Sequence, residues 1–346
     1  MKKPNANSRC GLVCMNRRVL LGGLAALPFV SVSGARARTG VPTVGYVSGG
    51  EKGGVVDVLY RESMIQGLAE QGFVVPDKLR WLDRYSGDIE DPASRVLALQ
   101  ALTRELLAEG AEVILTNGQS ARPAIAVAGS VPVVYGFSGD PVAAGMADSL
   151  ARPRGNATGV TLMMVETNAK RIQLLKELAP SIRRIALVSS PNHPGEPGEV
   201  EVCRRTVASL DVELLYMPVY NKEDLEKALV QAASMAADAL LALPDPVTNP
   251  NRERLAGWAL ESRIPYASGW SIHADSGALM TYGPSVGWSY HRVGYYAARV
   301  LAGAKPADLP IEQPTVFELV LNRGTARAIG LKVPDMLLAR ADRIID

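Results

Sequence analysis

The sequence predicts an α/β protein built as two similar parallel-sheet lobes. Three observations carry that prediction. Short all-apolar runs alternate with longer amphipathic stretches, the pattern of strands buried on both faces by helices. The pattern restarts near the middle of the chain. The apolar runs end in polar loops, twice in an Asp-Pro step, at Asp140-Pro141 and Asp245-Pro246.

The elements follow in order. VPTVGYVS (41–48) reads as a buried strand, followed by the Gly-rich loop SGGEKGG. Residues 55–72 read as a helix with Met64, Ile65, Leu68 and Ala69 on one face and Gly72 near its end. A second strand is expected over 79–85, then a helix over 92–109 with Val96, Leu99, Leu102, Leu106 and Leu107 inward. AEVILTNG (111–118), a short helix at ARPAIAVA, and VPVVYGFSGDP (131–141) complete the first series. ARPRGNATGVT (151–161) reads as the join.

A helix over 167–178 opens the second series. Strands are expected over 183–192, 212–219, 238–246 and 264–269, with helices over 195–210, 222–236 and 250–263 between them. Asn221 is the expected N-cap of the 222–236 helix. After GALMTYGPS comes a helix over 286–303 and then PTVFELVLN, a strand expected to cross back and complete the first sheet. The expected division is therefore 38–155 with 284–320 for the first lobe and 156–283 for the second. The lobe of the tail, 321–346, is left open.

The chain has 346 residues, 47% hydrophobic and 21% charged. That length suits two lobes of ordinary domain size, and the apolar share excludes wholesale disorder. Thirty-seven basic and 35 acidic residues leave a formal charge of +2, too weak for a nucleic-acid footprint. Three cysteines cannot make a disulfide scaffold, and three histidines leave little for a multi-histidine metal site.

Those totals include a leader. Residues 1–37 carry six basic residues and no acid, and Val19 to Val32 form an apolar run of 14 residues. That is short for a bilayer span and right for a signal-peptide core, with Ala35-Arg36-Ala37 as the cleavage site. Arg17-Arg18 before the run resembles a twin-arginine signal. Asn16 and Leu20 stand where that pattern has Ser or Thr and Phe, so an ordinary Sec leader is the alternative. Both readings export a soluble, periplasmic product. Cleavage after Ala37 would take the charge to −4 and leave 309 residues with Cys203 as sole cysteine.

Catalytic signatures are scarce. The sequence has no GxxxxGK[ST], no GxGxxG opening a helix and no GxSxG. Cys203 falls mid-helix, where a structural thiol is the commoner case. His193, His273 and His291 lack metal-ligand spacing. No enzyme activity, cofactor or metal is expected.

Polar residues cluster instead at strand ends, among them Ser48, Thr116, Ser120, Ser138, Asp140, Asn192, Asp245, Thr248 and Tyr282. Open α/β sheets bind ligands beyond the carboxyl ends of their strands, and pockets favour domain interfaces. Hydroxyls and amides suit a carboxylate, and a buried acid suits an ammonium. For any one position a turn or cap role is about as common. Trp270, Tyr135, Tyr282 and Trp288 lie near the same edges, where rings can stack on a flat ligand or pack the join between lobes.

At this point the residues resemble a family. GFSGDPVAAGMADSLARPRGNATGVTLMMVETNAKRIQLLKELAPSIRRIALVSSPNHPG (136–195), LALPDPVTN (241–249), GALMTYGPS (277–285) and the stretch 301–342 closely resemble ABC-transporter substrate-binding proteins of the tryptophan/tyrosine-binding type. The resemblance spans residues 42–346. It implies a periplasmic-binding-protein type I fold, with two Rossmann-like lobes joined by three hinge crossings. It implies a ligand site at the nine residues named above. The loops SGGEKGGVVDVLY and SSPNHPGEPGE depart from the family's pattern, and both line the expected entrance.

The expected function is the extracytoplasmic receptor of an ABC importer. It would bind a small polar or zwitterionic solute, such as an amino acid, by hinge closure, and dock transiently on a membrane permease as a monomer. A periplasmic sensor for a membrane kinase or chemoreceptor is one alternative. An exported α/β enzyme using His193 or His273 is another. A transcription regulator would need a helix-turn-helix, which the N-terminal stretch does not spell.

Overall fold

The computed structural model describes residues 40–346 apart from 88, 90 and 154; the leader expected over 1–37 lies outside the described residues. The first lobe holds a five-stranded parallel sheet of β1 (Thr43–Ser48), β2 (Arg80–Tyr85), β3 (Val113–Asn117), β4 (Val133–Phe137) and β5 (Ala157–Thr161), in the order β2-β1-β3-β4-β5. Between them run α1 (Val55–Ala69), α2 (Pro92–Ala108) and α3 (Ala121–Val127). Every residue of β1, β3 and β4 is buried, which is why these strands read as unbroken apolar runs. Pro92 and Asp91 start α2, with the Asp91 carboxylate accepting from Ser94 N at 2.7 Å. Val96, expected inward on this helix, is exposed; Leu99 and Leu106 carry the buried face.

The second lobe repeats the plan with α4 (Met164–Leu178), β6 (Arg184–Ser189), α5 (Glu196–Ala208), β7 (Glu213–Pro218), α6 (Lys222–Ser234), β8 (Ala239–Ala242), α7 (Arg252–Glu261), β9 (Tyr266–Ser268), α8 (Ser271–Asp275) and β10 (Met280–Pro284). Its parallel strands run β7-β6-β8-β9-β10, the same order as in the first lobe. Asn221 caps α6 as expected, with its Oδ1 accepting from Asp224 N at 3.0 Å.

Three crossings join the lobes. The first follows β5 at Leu162-Met163, where Met163 takes a left-handed conformation with φ 48° and ψ 37°. The second follows β10, and the chain returns as α9 (Val286–Leu301) across the first sheet. Here α1 and α9 meet backbone to backbone. A Cβ added at Gly67 would lie 2.1 Å from the His291 carbonyl oxygen, and one at Gly294 would lie 2.0 Å from that of Met64.

Two expectations about the division fail. ARPRGNATGVT is not merely a join, because Ala157–Thr161 is β5 and pairs with β4 in the first sheet. PTVFELVLN does not complete that sheet. The free edge of β5 is taken by extended chain at Glu312, whose N–H donates to Gly159 O at 2.9 Å while its carbonyl accepts from Thr161 N at 2.9 Å. The chain then crosses a third time, and β11 (Phe317–Asn322) pairs antiparallel with β10. Its Leu319 and Leu321 join the second lobe's core. After α10 (Arg323–Ala328) and α11 (Asp335–Leu338), β12 (Arg343–Ile345) pairs with β11, which places the tail on the second sheet. The first lobe is thus 40–161 with 286–312, and the second 164–284 with 317–346.

The α1–α9 contact yields a test of the return helix. Gly67→Ala and Gly294→Ala each force two helix backbones apart, an overpacking cost of roughly 1–3 kcal/mol. Urea unfolding should show that loss for both, and none for Gly257→Ala on α7, where an added Cβ meets nothing within 4 Å.

Candidate functional site

In both sheets the first strand sits inside the sheet, and the connections from it proceed in opposite directions along the sheet on its two sides. Such a reversal leaves a crevice at the carboxyl ends of the strands. In the first lobe the reversal lies between β1 and β3, and Asn117 Nδ2 bridges it to Ser48 Oγ at 3.2 Å and Tyr46 Oη at 2.7 Å. In the second it lies between β6 and β8, and Ser190 N donates to Asp245 Oδ2 at 2.7 Å. The two crevices face each other across a cavity of about 520 Å3, lined from both lobes.

One wall is aromatic. Tyr60 of α1 and Tyr290 of α9 stack with ring centroids 3.8 Å apart, and Trp270, from the loop after β9, meets Tyr60 edge-on at 6.1 Å. Trp270 lines the cavity and is only 5% exposed, and its indole N–H has no partner among the described residues. A buried donor without a partner is costly unless a ligand or water accepts from it.

Two buried carboxylates line the same cavity, Asp57 and Asp245. Asp245 Oδ1 accepts from Val247 N and Thr248 N, each at 2.7 Å, while Oδ2 accepts, among the described residues, only from Ser190 N. One acceptor position on Oδ2 therefore stays open. Burial lifts its carboxyl to about 6, against the pull of those N–H groups and of His193. Asp57 accepts from Tyr46 Oη at 3.1 Å and Gly53 N at 3.4 Å, and burial raises its carboxyl above the usual range.

The nine expected site residues separate by position. Ser48, Ser138 and Asp245 line the cavity. Thr116 and Ser120 are fully buried outside its lining, with hydroxyls that have no partner among the described residues; a Cβ at Gly49 would lie 3.2 Å from Ser120 Oγ. Thr248 braces Asp245, since its Oγ1 donates to Leu243 O and accepts from Asp245 N. Asn192 is half-buried beside His193 and does not line the cavity. Asp140 is exposed and turned into its own loop, where Oδ1 accepts from Val142 N at 2.8 Å and Ala143 N at 3.2 Å. That is the turn role open to any Asp-Pro step. Tyr282 stacks on Phe317 at the crossings instead of facing the cavity.

Sequence reasoning missed Asp57, Tyr60 and Tyr290 as site residues. Asp57 and Tyr60 fall in the first two turns of the helix after the first Gly-rich loop, a position that could have marked them. Tyr290 reaches the site only because α9 recrosses to the first lobe, and nothing local signals that. Of the two loop histidines, His193 lines the cavity. His273 is fully buried between Tyr266 Oη and Asn249 Oδ1, and burial holds its ring at about 3. Among the described residues no cluster of three or more His, Cys, Asp or Glu could hold a metal, and no helix is long and apolar enough to cross a membrane.

Comparison with known proteins bears on the family and the fold. The family described as ABC transporter substrate binding protein matches residues 58–345. A tyrosine-binding protein from Clostridioides difficile (strain R20291) is 21% identical over 273 residues, covering 79% of this chain and 76% of that one. Among solved structures, a domain from Streptococcus pneumonia in complex with L-Trp superposes with a TM-score of 0.79 at 20% identity. A conserved domain protein from Vibrio cholerae does so with 0.79 at 21% identity. In both cases 88% of this chain and 100% of the other are covered.

Asp245 gives a pH test with a definite sign. A native carboxyl at about 6 takes up its proton before the unfolded one, whose ordinary value is 3.8. Its contribution to stability therefore grows as pH falls from about 7 to about 4 and is lost above that window. The difference in thermal unfolding between wild type and Asp245→Asn should follow that slope, since the other buried titratable groups are common to both. Asp245→Ala orphans backbone N–H groups and should cost about 3 kcal/mol at neutral pH.

Proposed function

This chain belongs to the ABC transporter substrate binding protein family, and on that footing we propose that it is the exported receptor of an ABC importer whose cargo is an aromatic amino acid. The observation that supports the reading most directly is the cavity itself, which draws its walls from both lobes and combines ring faces with two buried carboxylates. About 520 Å3 is within the range of small-ligand sites. An ammonium group matches the open acceptor on Asp245 Oδ2 and the Asp57 carboxylate. A flat side chain matches Tyr60, Tyr290 and Trp270. The indole N–H of Trp270 supplies a donor for an acceptor on the ligand.

Because both lobes contribute, ligand stabilises the closed arrangement, and the fold responds by hinge closure about the three crossings. The closed form would then dock on a membrane permease. The tyrosine-binding relative and the L-Trp complex are consistent with an aromatic cargo. The loss of His273 to the core removes one of the two histidines on which an enzyme reading rested.

L-Tyrosine or L-tryptophan should raise the melting temperature, with about 2.7 kcal/mol of stabilisation at a hundredfold excess over Kd. Trp270→Ala should weaken that binding at least tenfold, about 1.4 kcal/mol, whereas Asp140→Ala should leave it unchanged. Titration calorimetry checks the affinities. Silence across the common amino acids would overturn the assigned cargo. Full affinity in Trp270→Ala would overturn the assigned cavity.

A further inference from the structure

His193 joins the lobes directly. It lies in the loop between β6 and α5, and its Nε2 stands 2.6 Å from Ser138 Oγ, beyond the end of β4 in the first lobe. The backbones also close together here, since a Cβ at Gly139 would lie 3.1 Å from Gly195 Cα. Behind the ring, Glu199 Oε1 makes no hydrogen bond among the described residues and stands 3.4 Å from His193 Nδ1. Glu199 Oε2 accepts from Asn168 Nδ2 at 3.2 Å, and that amide also donates to Met164 O beside the first crossing. Asn168 Oδ1 in turn accepts from the fully buried Arg171, whose Nε donates to Tyr282 O at 3.0 Å, near the second crossing. One polar chain thus runs from the first lobe, through His193, to two of the three crossings.

We propose that the Ser138–His193 contact is a proton-sensitive latch on lobe closure, held by the neutral imidazole and released when the ring is protonated. The charged groups around the ring are Glu196 and Glu199 from α5 and Asp245 from the loop after β8, with Arg171 of α4 behind Glu199. The first lobe offers Ser138, while Asp140 is turned away into its own loop.

The sign follows from burial. In the closed form burial holds the imidazole below its ordinary value, despite Asp245 and Glu196. Parted lobes admit water and return it toward that value, so the open form binds the extra proton and acid opens the lobes. Burial lifts the neighbouring carboxyls, Asp245 to about 6 and Glu199 to about 7. Their hydrogen-bond partners, Ser190, Val247, Thr248 and Asn168, belong to the second lobe and stay with them when the lobes part. His193, which loses Ser138, therefore carries the pH dependence of closure.

The latch requires lobes that can part, as the receptor reading does, but not any particular cargo. Small-angle X-ray scattering of the ligand-free protein therefore tests it separately. The radius of gyration should rise as pH falls from about 7.5 to about 5.5. His193→Gln, which still hydrogen-bonds but does not titrate, should lose that dependence, and Ser138→Ala should stay expanded throughout. Histidine-ring NMR should show His193 titrating about one pH unit higher in Ser138→Ala than in wild type. A wild-type radius that is constant, or that shrinks with acid, overturns the latch; so does a His193→Gln profile that matches wild type. Either result leaves the cargo assignment standing, and failure to bind amino acids leaves the latch standing.

Discussion

In each lobe the chain lays down its first strand, places the second on one side, and then builds outward on the other. That single reversal, between β1 and β3 and again between β6 and β8, is the constraint on which the rest depends. It pulls two strand-end loops apart, so backbone and side-chain polar groups face a gap instead of each other. Asn117 spans the first gap and Asp245 the second. With both gaps turned inward, the cavity between them inherits polar groups from several strand-end loops and aromatic faces from the helices beside them.

The crossings decide how such a cavity can work. They are joined to one another: Ser285 N donates to Val316 O at 3.0 Å, and Thr161 N to Glu312 O at 2.9 Å. Linked strands of this kind can bend together while each lobe keeps its own core. Met163, at the first crossing, is one of four left-handed non-glycine residues among the described residues, with Asp211, Ala236 and Arg263 in turns elsewhere. The buried Arg171–Asn168–Glu199 network lies against the same crossings. Burial lowers the Arg171 guanidinium to about 10 and raises Glu199 to about 7, so each charge leans on the other. A buried charge with its partner removed is expensive, which ties the hinge region to the electrostatics of the cleft.

Much of this was legible in the chain. The alternation of apolar and amphipathic runs located β1, β3, β4, β6 and β8, because a strand buried on both faces cannot hide its composition. Asn221 announced its helix because a cap is a local hydrogen bond. Ser48, Ser138 and Asp245 were readable as cavity residues because strand ends in such sheets face ligand. Asp140 and Asp245 look alike in sequence, each an Asp before Pro after a buried strand. Their fates differ because Asp140 spends its carboxylate on its own exposed turn, while Asp245 reaches back to Ser190 across a strand reversal.

The sequence by itself determined the α/β class, the buried strands and the polar loops at their ends, since each rests on contacts within a few residues or on burial that shows in composition. Only the tertiary structure decided where the last segments go. Phe317–Asn322 would suit either sheet by its pattern, and it joins the second because Glu312 already occupies the edge of β5. Only the tertiary structure stacked Tyr290 on Tyr60 and set His193 against Ser138. These pairs lie far apart in the chain, and their meeting depends on three crossings whose directions no local pattern records.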